Sequence, residues 1–452
     1  MGTRDRRNFL QVSTASAAAL LWAKRGTGAE PSEAERYWPQ WRGPLATGEG
    51  PQARPPVEWA EGKNVAWKVE LPGGGKSTPV VWRDLVLLTA AIPTGKKLAP
   101  RAPDGIAPPA APGNPAVSPA LSTQDFVVLA VGRSDGKVRW SHTVREEFPH
   151  EGTHQDGSFA AGSLLTDGAR VYAFFGSRGL YALDLEGHVI WEKDLGLMRT
   201  RNSFGEGASP ALYGDTLIVN WDHEGDDFVV ALDAKTGKER WRTARDEPTT
   251  WATPHVIVHQ GKAQVVVAGM NNVRSYDLAS GAQLWEAPGL TANVIPSPVS
   301  ADGIVYAMSG FRGNMLRAVR VADAKGALTG PPGLLWSYDR DTPYVPSPVL
   351  YRGGLYFLKS NSGVLTCLDP ATGAARYTER LDAVANVYAS PVAADGRIYV
   401  VGREGAAVVV SAGPKPQVLA TNVLNDGFDA SPALVDGEIY LRGKKALYRI
   451  SA

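Results

Sequence analysis

The sequence predicts an all-β fold, an eight-bladed β-propeller of four-stranded antiparallel blades, and three observations lead to that prediction. The stretch ALDAKTGKERW, which ends at Trp241, has near copies that end at Trp140, Trp191, Trp285 and Tyr377. A second motif, Ser-Pro or Thr-Pro before a short apolar strand, recurs along the chain. The 49 Gly and 33 Pro residues are typical of many turns and short strands. Such recurrence indicates one architecture built from repeated units.

The first strand of each unit follows the Ser/Thr-Pro dipeptide. Eight such openings occur, at Thr78, Ser163 (where the Pro is missing), Ser209, Thr253, Ser297, Ser347, Ser390 and Ser431. Apart from the first interval, they lie 41 to 50 residues apart. A period in the forties with four strands per unit is typical of a propeller blade.

The second strand is reached through a tight turn that contains Gly, often beside Asp, as in TDGARVYAF, ADGIVYAM and VDGEIYL. Gly supplies the positive φ that short hairpin turns require. This alternation of turns and apolar strands excludes a solenoid of helix pairs. Two separate β-sandwiches would not explain one motif that occurs eight times.

The fourth strand of the last unit is missing, because the chain ends after a third strand, ALYRISA. An unassigned strand-like segment, residues 64–71, precedes the first unit and carries Trp67 where a fourth strand would place it. We therefore expect residues 64–71 to complete the eighth blade. The ring would then close without an exposed sheet edge.

A large aromatic residue ends most fourth strands, and we expect it to pack against the neighbouring blade. The Gly of the preceding turn would allow the chain to deliver it there. The predicted packing residues are Trp67, Trp140, Trp191, Trp241, Trp285 and Trp336, with Tyr377 as a weaker substitute.

Residues 1–29 are predicted to be a twin-arginine-type signal peptide rather than part of the fold. Arg6 and Arg7 precede Phe9 and Leu10, and a short apolar run follows. A disordered basic tail is the alternative. Residues 30–63 are then an N-terminal extension and residues 64–452 the propeller. The Pro-rich segment 92–123 is predicted to be a tolerated loop insertion, with a partner-binding segment as the alternative.

Composition limits the classes of partner. The formal net charge is +1, and no basic stripe alternates with aromatic residues. This argues against nucleic acid and anionic membrane surfaces as partners. Cys367 is the only cysteine, so the chain has no internal disulfide, no Cys-x-x-Cys-His haem motif and no cysteine that would carry a lipid after the signal. We expect a monomer without a transmembrane segment in the mature chain.

Candidate ligand-binding residues lie in the loops that lead into the innermost strands, because such loops surround the mouth of a propeller channel. They are His150, His154, Asp156, Arg199, Arg201, Asn202, Glu206, Trp251, Asn293, Tyr344, Asn386, Tyr388, Asp426 and Asp429. No Ser-His-Asp, phosphate-loop or dinucleotide motif is present, so catalytic residues are not predicted.

Two small groups allow a metal interpretation. His150 and His154 are four residues apart, but Pro149 and Gly152 argue against a helix, so loop histidines without a metal are the alternative. The run NWDHEGDD supplies Asp222, Glu224 and Asp226, carboxylates that calcium favours on flexible loops. Charged hairpin tips are the alternative for this run.

The repeated Ala-x-Asp-x-x-Thr-Gly-x-x-x-Trp pattern and the closing N-terminal strand resemble the pyrroloquinoline-quinone (PQQ) repeat propellers over residues 64–452. The motif WPQWRGP (Trp38–Pro44) is similar to the opening of exported proteins of this type. The resemblance implies eight blades held by a tryptophan-docking arrangement. The superfamily that it resembles includes PQQ-dependent alcohol and glucose dehydrogenases and also BamB-like scaffolds of the outer membrane, which carry no cofactor.

Two functions follow from that resemblance. The first is an exported, periplasmic binding or scaffold protein that recognises an envelope protein or a small ligand at the channel mouth. The alternative is a PQQ-dependent oxidoreductase with an atypical pocket, for which PQQ and calcium would be the cofactors. The chain lacks the adjacent cysteine pair on which many quinoprotein dehydrogenases stack PQQ, and it lacks the lipid-bearing cysteine typical of BamB-like scaffolds.

Overall fold

Residues 32–97 and 114–452 are described by the computed structural model. The predicted signal peptide and the middle of the Pro-rich segment lie outside the described residues. Within the described ranges, no helix has the length and apolar character needed to cross a bilayer.

Eight antiparallel four-stranded sheets form the ring, and this confirms the predicted fold. From the channel outwards, blade 1 consists of Val80–Trp82, Leu85–Pro93, Gln124–Gly132 and Val138–Glu147, and blade 2 of Leu165–Thr166, Arg170–Phe174, Leu180–Asp184 and Val189–Lys193. Blade 3 consists of Ala211–Tyr213, Thr216–Trp221, Phe228–Asp233 and Glu239–Ala244, and blade 4 of His255–His259, Lys262–Val267, Asn272–Asp277 and Gln283–Pro288. The first strands of neighbouring blades contact one another around the channel.

Blades 5 to 8 follow the same order. Blade 5 consists of Val299–Ala301, Ile304–Ser309, Met315–Arg320 and Leu334–Tyr338, and blade 6 of Val349–Tyr351, Gly354–Leu358, Val364–Leu368 and Ala375–Arg380. Blade 7 consists of Val392–Ala394, Arg397–Val401, Ala406–Ser411 and Val418–Val423, and blade 8 of Ala433–Val435, Glu438–Arg442, Ala446–Ser451 and Val65–Glu70. The strand Gly326–Ala327 adds a parallel fifth strand to blade 4. Outside the blades lie the helix Glu33–Arg36, the strand pair Val117–Ser118 and Thr153–His154, and the 3-10 turns Gly176–Arg178, Arg201–Ser203 and Val321–Asp323.

Closure of the ring occurs where it was predicted. Val65–Glu70 pairs antiparallel with Ala446–Ser451, and Trp67 lies opposite Arg449. The strand before the first blade thus becomes the outer strand of the last one, and both ends of the propeller are held in one sheet.

The outer-strand tryptophans contact the next blade in a repeated geometry. Trp67 Nε1 donates to Arg133 O at 2.9 Å. A Cβ on Gly136 would lie 2.9 Å from the Trp67 ring, so this turn, with φ of +71°, excludes larger residues. The same two contacts recur for Trp140, Trp191, Trp241 and Trp336. Trp285 differs, because it donates to Gln264 of its own blade.

The repeated Ser and Thr residues link the blades through their hydroxyl groups. In each case the backbone N–H of one opening donates to the side-chain oxygen of the next opening, at 2.8 to 3.1 Å. Seven such bonds run in one direction from Thr78 through Ser163 to Ser431. The side-chain oxygen thus satisfies a buried backbone donor at the centre of the ring, which explains the residue type at these positions.

The N-terminal extension crosses the end of the channel opposite the loops that carry the predicted site. Its backbone and side chains hydrogen-bond to blades 1, 2, 5, 6, 7 and 8 through Trp38, Pro39, Trp41, Arg42, Gly50 and Arg54. Trp38 and Trp59 are buried in the apolar cluster that joins blades 7, 8 and 1. The extension therefore packs as part of the propeller.

Candidate functional site

A cavity of about 250 Å³ opens at the channel mouth. Loop residues from several blades line it, namely Lys76, His154, Asp156, Phe204, Trp251, Tyr344, Tyr388 and Asp429. The Ser and Thr hydroxyls of the blade openings lie deeper in the channel. Trp41 of the N-terminal extension lines the inner end, where its Nε1 donates to Ser297 Oγ at 3.0 Å. Trp41 thus obstructs the channel, and the cavity is open at the loop side.

An ion-pair network forms the rim of this cavity. Arg403 Nε lies 2.6 Å from Asp429 Oδ1, and an Arg403 terminal nitrogen lies 2.7 Å from Asp156 Oδ1. Lys76 Nζ lies 2.6 Å from the other oxygen of Asp429, and Tyr388 donates to Asp156 Oδ2 at 3.0 Å. Two cations and two carboxylates therefore neutralise each other at the rim.

Burial and pairing act in opposite directions on these carboxylates. Burial alone would raise the pKa of Asp429, but the charge of Lys76 and the hydrogen bond from Arg403 outweigh it and lower the pKa below its usual value. Asp156 shows the same balance, with Arg403 and Tyr388 as the groups that lower its pKa. Burial and Asp156 raise the pKa of Tyr388 to about 12, so this hydroxyl remains a donor at neutral pH.

Aromatic rings line the apolar part of the cavity and are held by their neighbours. The Arg403 guanidinium carbon lies 3.9 Å from the centroid of the Tyr388 ring. Tyr344 stacks on Phe311 at a centroid distance of 4.6 Å. Trp251 Nε1 donates to Gly205 O at 2.7 Å. These contacts fix the rings in place, so the cavity offers rigid flat surfaces beside a polar rim.

A second polar cluster, His150, Glu151 and Glu206, lies between blades 2 and 3 next to a small cavity of about 20 Å³. Arg178 donates to His150 Nδ1 at 3.0 Å and to Glu206 Oε1 at 3.2 Å. The other ring nitrogen of His150 lies 2.6 Å from Met198 O. Both nitrogens of His150 are therefore already engaged.

Glu151 is buried, and burial together with the charge of Glu206 raises its pKa to about 8. Thr200 Oγ1 donates to Glu151 Oε1 at 2.5 Å and partly opposes that rise. Burial and the Arg178 charge lower the pKa of His150. At neutral pH the cluster thus holds a largely protonated Glu151 and a neutral His150.

The structure separates the predicted site residues into groups. The cavity of about 250 Å³ at the channel mouth, called the main cavity below, is lined by His154, Asp156, Trp251, Tyr344, Tyr388 and Asp429. Glu206 lines both the main cavity and the small cavity beside His150. Six others do not line the main cavity, namely His150, Arg199, Arg201, Asn202, Asn293 and Asn386.

Asp426 also lies apart from that cavity. It accepts the backbone N–H groups of Lys445 and Ala446 and lines a surface groove beside blade 8. The predicted loop residues therefore do not all reach the main cavity. Asp426 instead caps the third strand of blade 8, and Arg201 contacts Met270 of blade 4.

The structure gives the calcium interpretation of Asp222, Glu224 and Asp226 no support. Asp222 forms a fully buried ion pair with Arg245 at 2.6 Å, and Glu224 accepts hydrogen bonds from Thr249. In the part of the chain that the structure describes, the only group of three metal-ligating side chains with suitably close atoms is the His150 cluster. The Arg245 charge takes the role that a cation would have had at Asp222.

Sequence reasoning missed several residues of the main cavity and its rim, among them Arg403, Lys76 and Trp41. Arg403 follows the second strand of blade 7, Lys76 precedes the first opening, and Trp41 belongs to the WPQWRGP motif. The ligand-binding candidates come from loops that lead into first strands, whereas Arg403 lies in the turn between the second and third strands of blade 7, at the same end of the blade. Because the strand order repeats in every blade, the sequence already implies that the turn carrying Arg403 lies at the channel mouth.

Comparison with known proteins places these features in context. Residues 57–208, 97–250, 185–327 and 225–452 match the family described as outer membrane protein assembly factor BamB. The protein of that name from Yersinia pestis is 20% identical over 330 residues, which cover 70% of this chain and 78% of that protein.

Two solved structures show the same fold. BamB from Moraxella catarrhalis aligns with a TM-score of 0.55 and 13% identity, over 86% of this chain and 97% of that one. Quinohemoprotein alcohol dehydrogenase from Comamonas testosteroni aligns with a TM-score of 0.61 and 13% identity, over 96% of this chain and 83% of that one.

Proposed function

We propose that this chain, which belongs to the family of outer membrane protein assembly factor BamB, is a non-catalytic binding protein of the cell envelope. In this proposal residues 1–29 direct export, and the cavity at the channel mouth recognises a small ligand or a side chain of an envelope protein. The relative from Yersinia pestis carries the name of an assembly factor, which supports an envelope role.

The form of the cavity carries the proposal. Trp41 obstructs its inner end, the aromatic rings are fixed, and the rim charges are already paired. A partner would therefore enter from the loop side and exchange hydrogen bonds with Asp156, Asp429 and Tyr388. A pre-formed concave site with a few polar groups is the usual form of a recognition site.

The residues present do not fit PQQ. Its three carboxylates would require free cations, whereas Lys76 and Arg403 are already neutralised by Asp429 and Asp156. The His150 cluster is a poor calcium site, because the Arg178 guanidinium already contacts His150 and Glu206. We therefore derive no reaction through a quinone.

Native mass spectrometry of the protein purified from cells supplied with PQQ and calcium tests this proposal. We expect a mature mass without a quinone, and no dye reduction with alcohols or sugars. A retained quinone together with alcohol-dependent dye reduction would overturn it. Apoprotein mixed with PQQ and calcium afterwards serves as the control for incomplete loading in the cell.

A further inference from the structure

Arg42, in the WPQWRGP motif, is buried beneath the channel floor with 1% of its surface exposed. One terminal nitrogen donates to Pro348 O at 2.6 Å. Its Nε and its other terminal nitrogen have no partner among residues 32–97 and 114–452. The backbone at Arg42 has a φ of +65°, a conformation that non-Gly residues adopt at a cost. Arg42 thus combines an unfavourable backbone conformation with a buried guanidinium that is only partly hydrogen-bonded.

The charge of Arg42 is also uncompensated. In the described part of the chain no carboxylate forms an ion pair with it. Burial lowers its pKa to about 9, so the side chain is still mainly charged at neutral pH. Buried charges in proteins are normally paired, because an unpaired one is costly to desolvate. Arg42 therefore requires a counter-charge that the described side chains do not supply.

A cavity of about 30 Å³ borders Arg42. Thr253 and Ser297 also line it. Ser297 Oγ accepts hydrogen bonds from Trp41 Nε1 and from the Thr253 N–H, which leaves its own hydrogen to donate. Thr253 Oγ1 likewise accepts the Ser209 N–H. Arg42, Thr253 and Ser297 thus line one small cavity, and each of these side chains retains a hydrogen that it can donate.

Gln40 and His255 also line this cavity. Burial lowers the pKa of His255 to about 4, so the ring adds no charge at neutral pH. Its Nε2 lies 2.7 Å from Ser300 Oγ. Among the described residues that line this cavity, Arg42 is the one that is charged at neutral pH.

We propose that a small monovalent anion, chloride in solution, occupies this cavity as the counter-ion of Arg42. The anion accepts hydrogen bonds from Arg42, Ser297 and Thr253, and it neutralises the buried charge, which a water molecule cannot do. Because Trp41 is the neighbour of Arg42 and bonds to the same Ser297 hydroxyl, the anion also holds the floor of the main cavity. This inference does not depend on the proposed function.

Two measurements on the full chain test the anion site. In crystals grown with bromide, we expect an anomalous peak in the cavity beside Arg42. In solution, thermal unfolding is followed while chloride replaces gluconate at constant ionic strength. Above the dissociation constant, each tenfold rise in chloride should lower the unfolding equilibrium constant about tenfold. Density for water only would overturn the proposal, as would bromide density without any dependence on chloride in solution.

The variant Arg42→Met should lose the chloride dependence. Arg442→Met is the matched control, because Arg442 is also buried without a carboxylate partner but donates to Ser77 Oγ at 2.6 Å and Thr89 O at 2.8 Å. That control should retain the dependence. An equal loss in both variants would contradict the assignment to Arg42. If Arg42→Met fails to fold, the bromide peak and the wild-type titration decide.

Discussion

Arg403 of blade 7 and Asp429 of blade 8 form a 2.6 Å ion pair at the channel mouth. Lys76, which leads into blade 1, lies 2.6 Å from the second oxygen of the same carboxylate. Asp429 therefore connects three consecutive blades across the point where the ring closes. The rim of the candidate site and the seam of the propeller depend on the same side chain.

Replacing Arg403 by Met should destabilise the protein by about 2–4 kcal/mol, because Asp429, with 4% of its side chain exposed, loses a buried partner. Urea unfolding measures the change. Arg240→Met is the matched control, since Arg240 pairs with the more exposed Asp215 and Asp233. That control should cost less than about 1 kcal/mol. Equal losses in the two variants would show that the rim network has no special role in stability.

Acid should weaken the ion pairs of the rim. The pKa values of Asp156 and Asp429 are lower in the folded protein than in the unfolded chain, so their contribution is complete above the unfolded value of about 4 and is lost as the pH falls through the folded values. Unfolding free energy measured between neutral pH and about pH 3 should fall less steeply in Arg403→Met than in the wild type. Parallel curves would contradict this prediction.

Glu151→Gln should stabilise the protein at alkaline pH and leave it unchanged in mild acid. The folded pKa of Glu151 is about 8, above its unfolded value, so its contribution is complete below the unfolded value and is lost as the pH rises through about 8. The gain at about pH 9 should be on the order of 1–3 kcal/mol. Differential scanning calorimetry at both pH values measures it. A melting temperature that shifts equally at both would contradict the raised pKa.

Thr253→Val should destabilise the ring by about 1–3 kcal/mol, because the buried Ser209 N–H loses its acceptor. The same substitution at Thr78 is the control, since no described residue bonds to the Thr78 hydroxyl oxygen. Thr78→Val should therefore be close to neutral. Thermal unfolding of both variants measures the difference, and equal losses would show that the hydroxyl chain does not stabilise the channel.

The fold followed from sequence because each blade repeats local signals that do not depend on distant contacts. The Gly at position 136 is required by the ring of Trp67, and the copies of this pair set the period. Likewise, the missing last strand and the unassigned strand near the N-terminus had to pair. Repetition made these relationships visible without any knowledge of the assembled ring.

The site was predicted less well because it depends on which loops converge. The sequence pattern allows Asp222 as a cation ligand, yet Arg245 lies against it in the fold. Arg403 reaches the rim from a strand turn, and Trp41 lines the cavity from the N-terminal extension. A single sequence gives no measure of such distances between segments. The role of the Ser/Thr openings was also missed, since it appears only when eight blades meet.

Photo-crosslinking in the cells that produce the protein tests directly whether the channel mouth recognises a partner, with p-benzoylphenylalanine in place of Tyr344, which lines the cavity. Position 189, exposed on the outer strand of blade 2, is the control. We expect position 344 to capture one discrete envelope component that position 189 does not, and Arg403→Met to reduce this product. The same products from both positions, or none from position 344, would contradict a recognition site at the channel mouth.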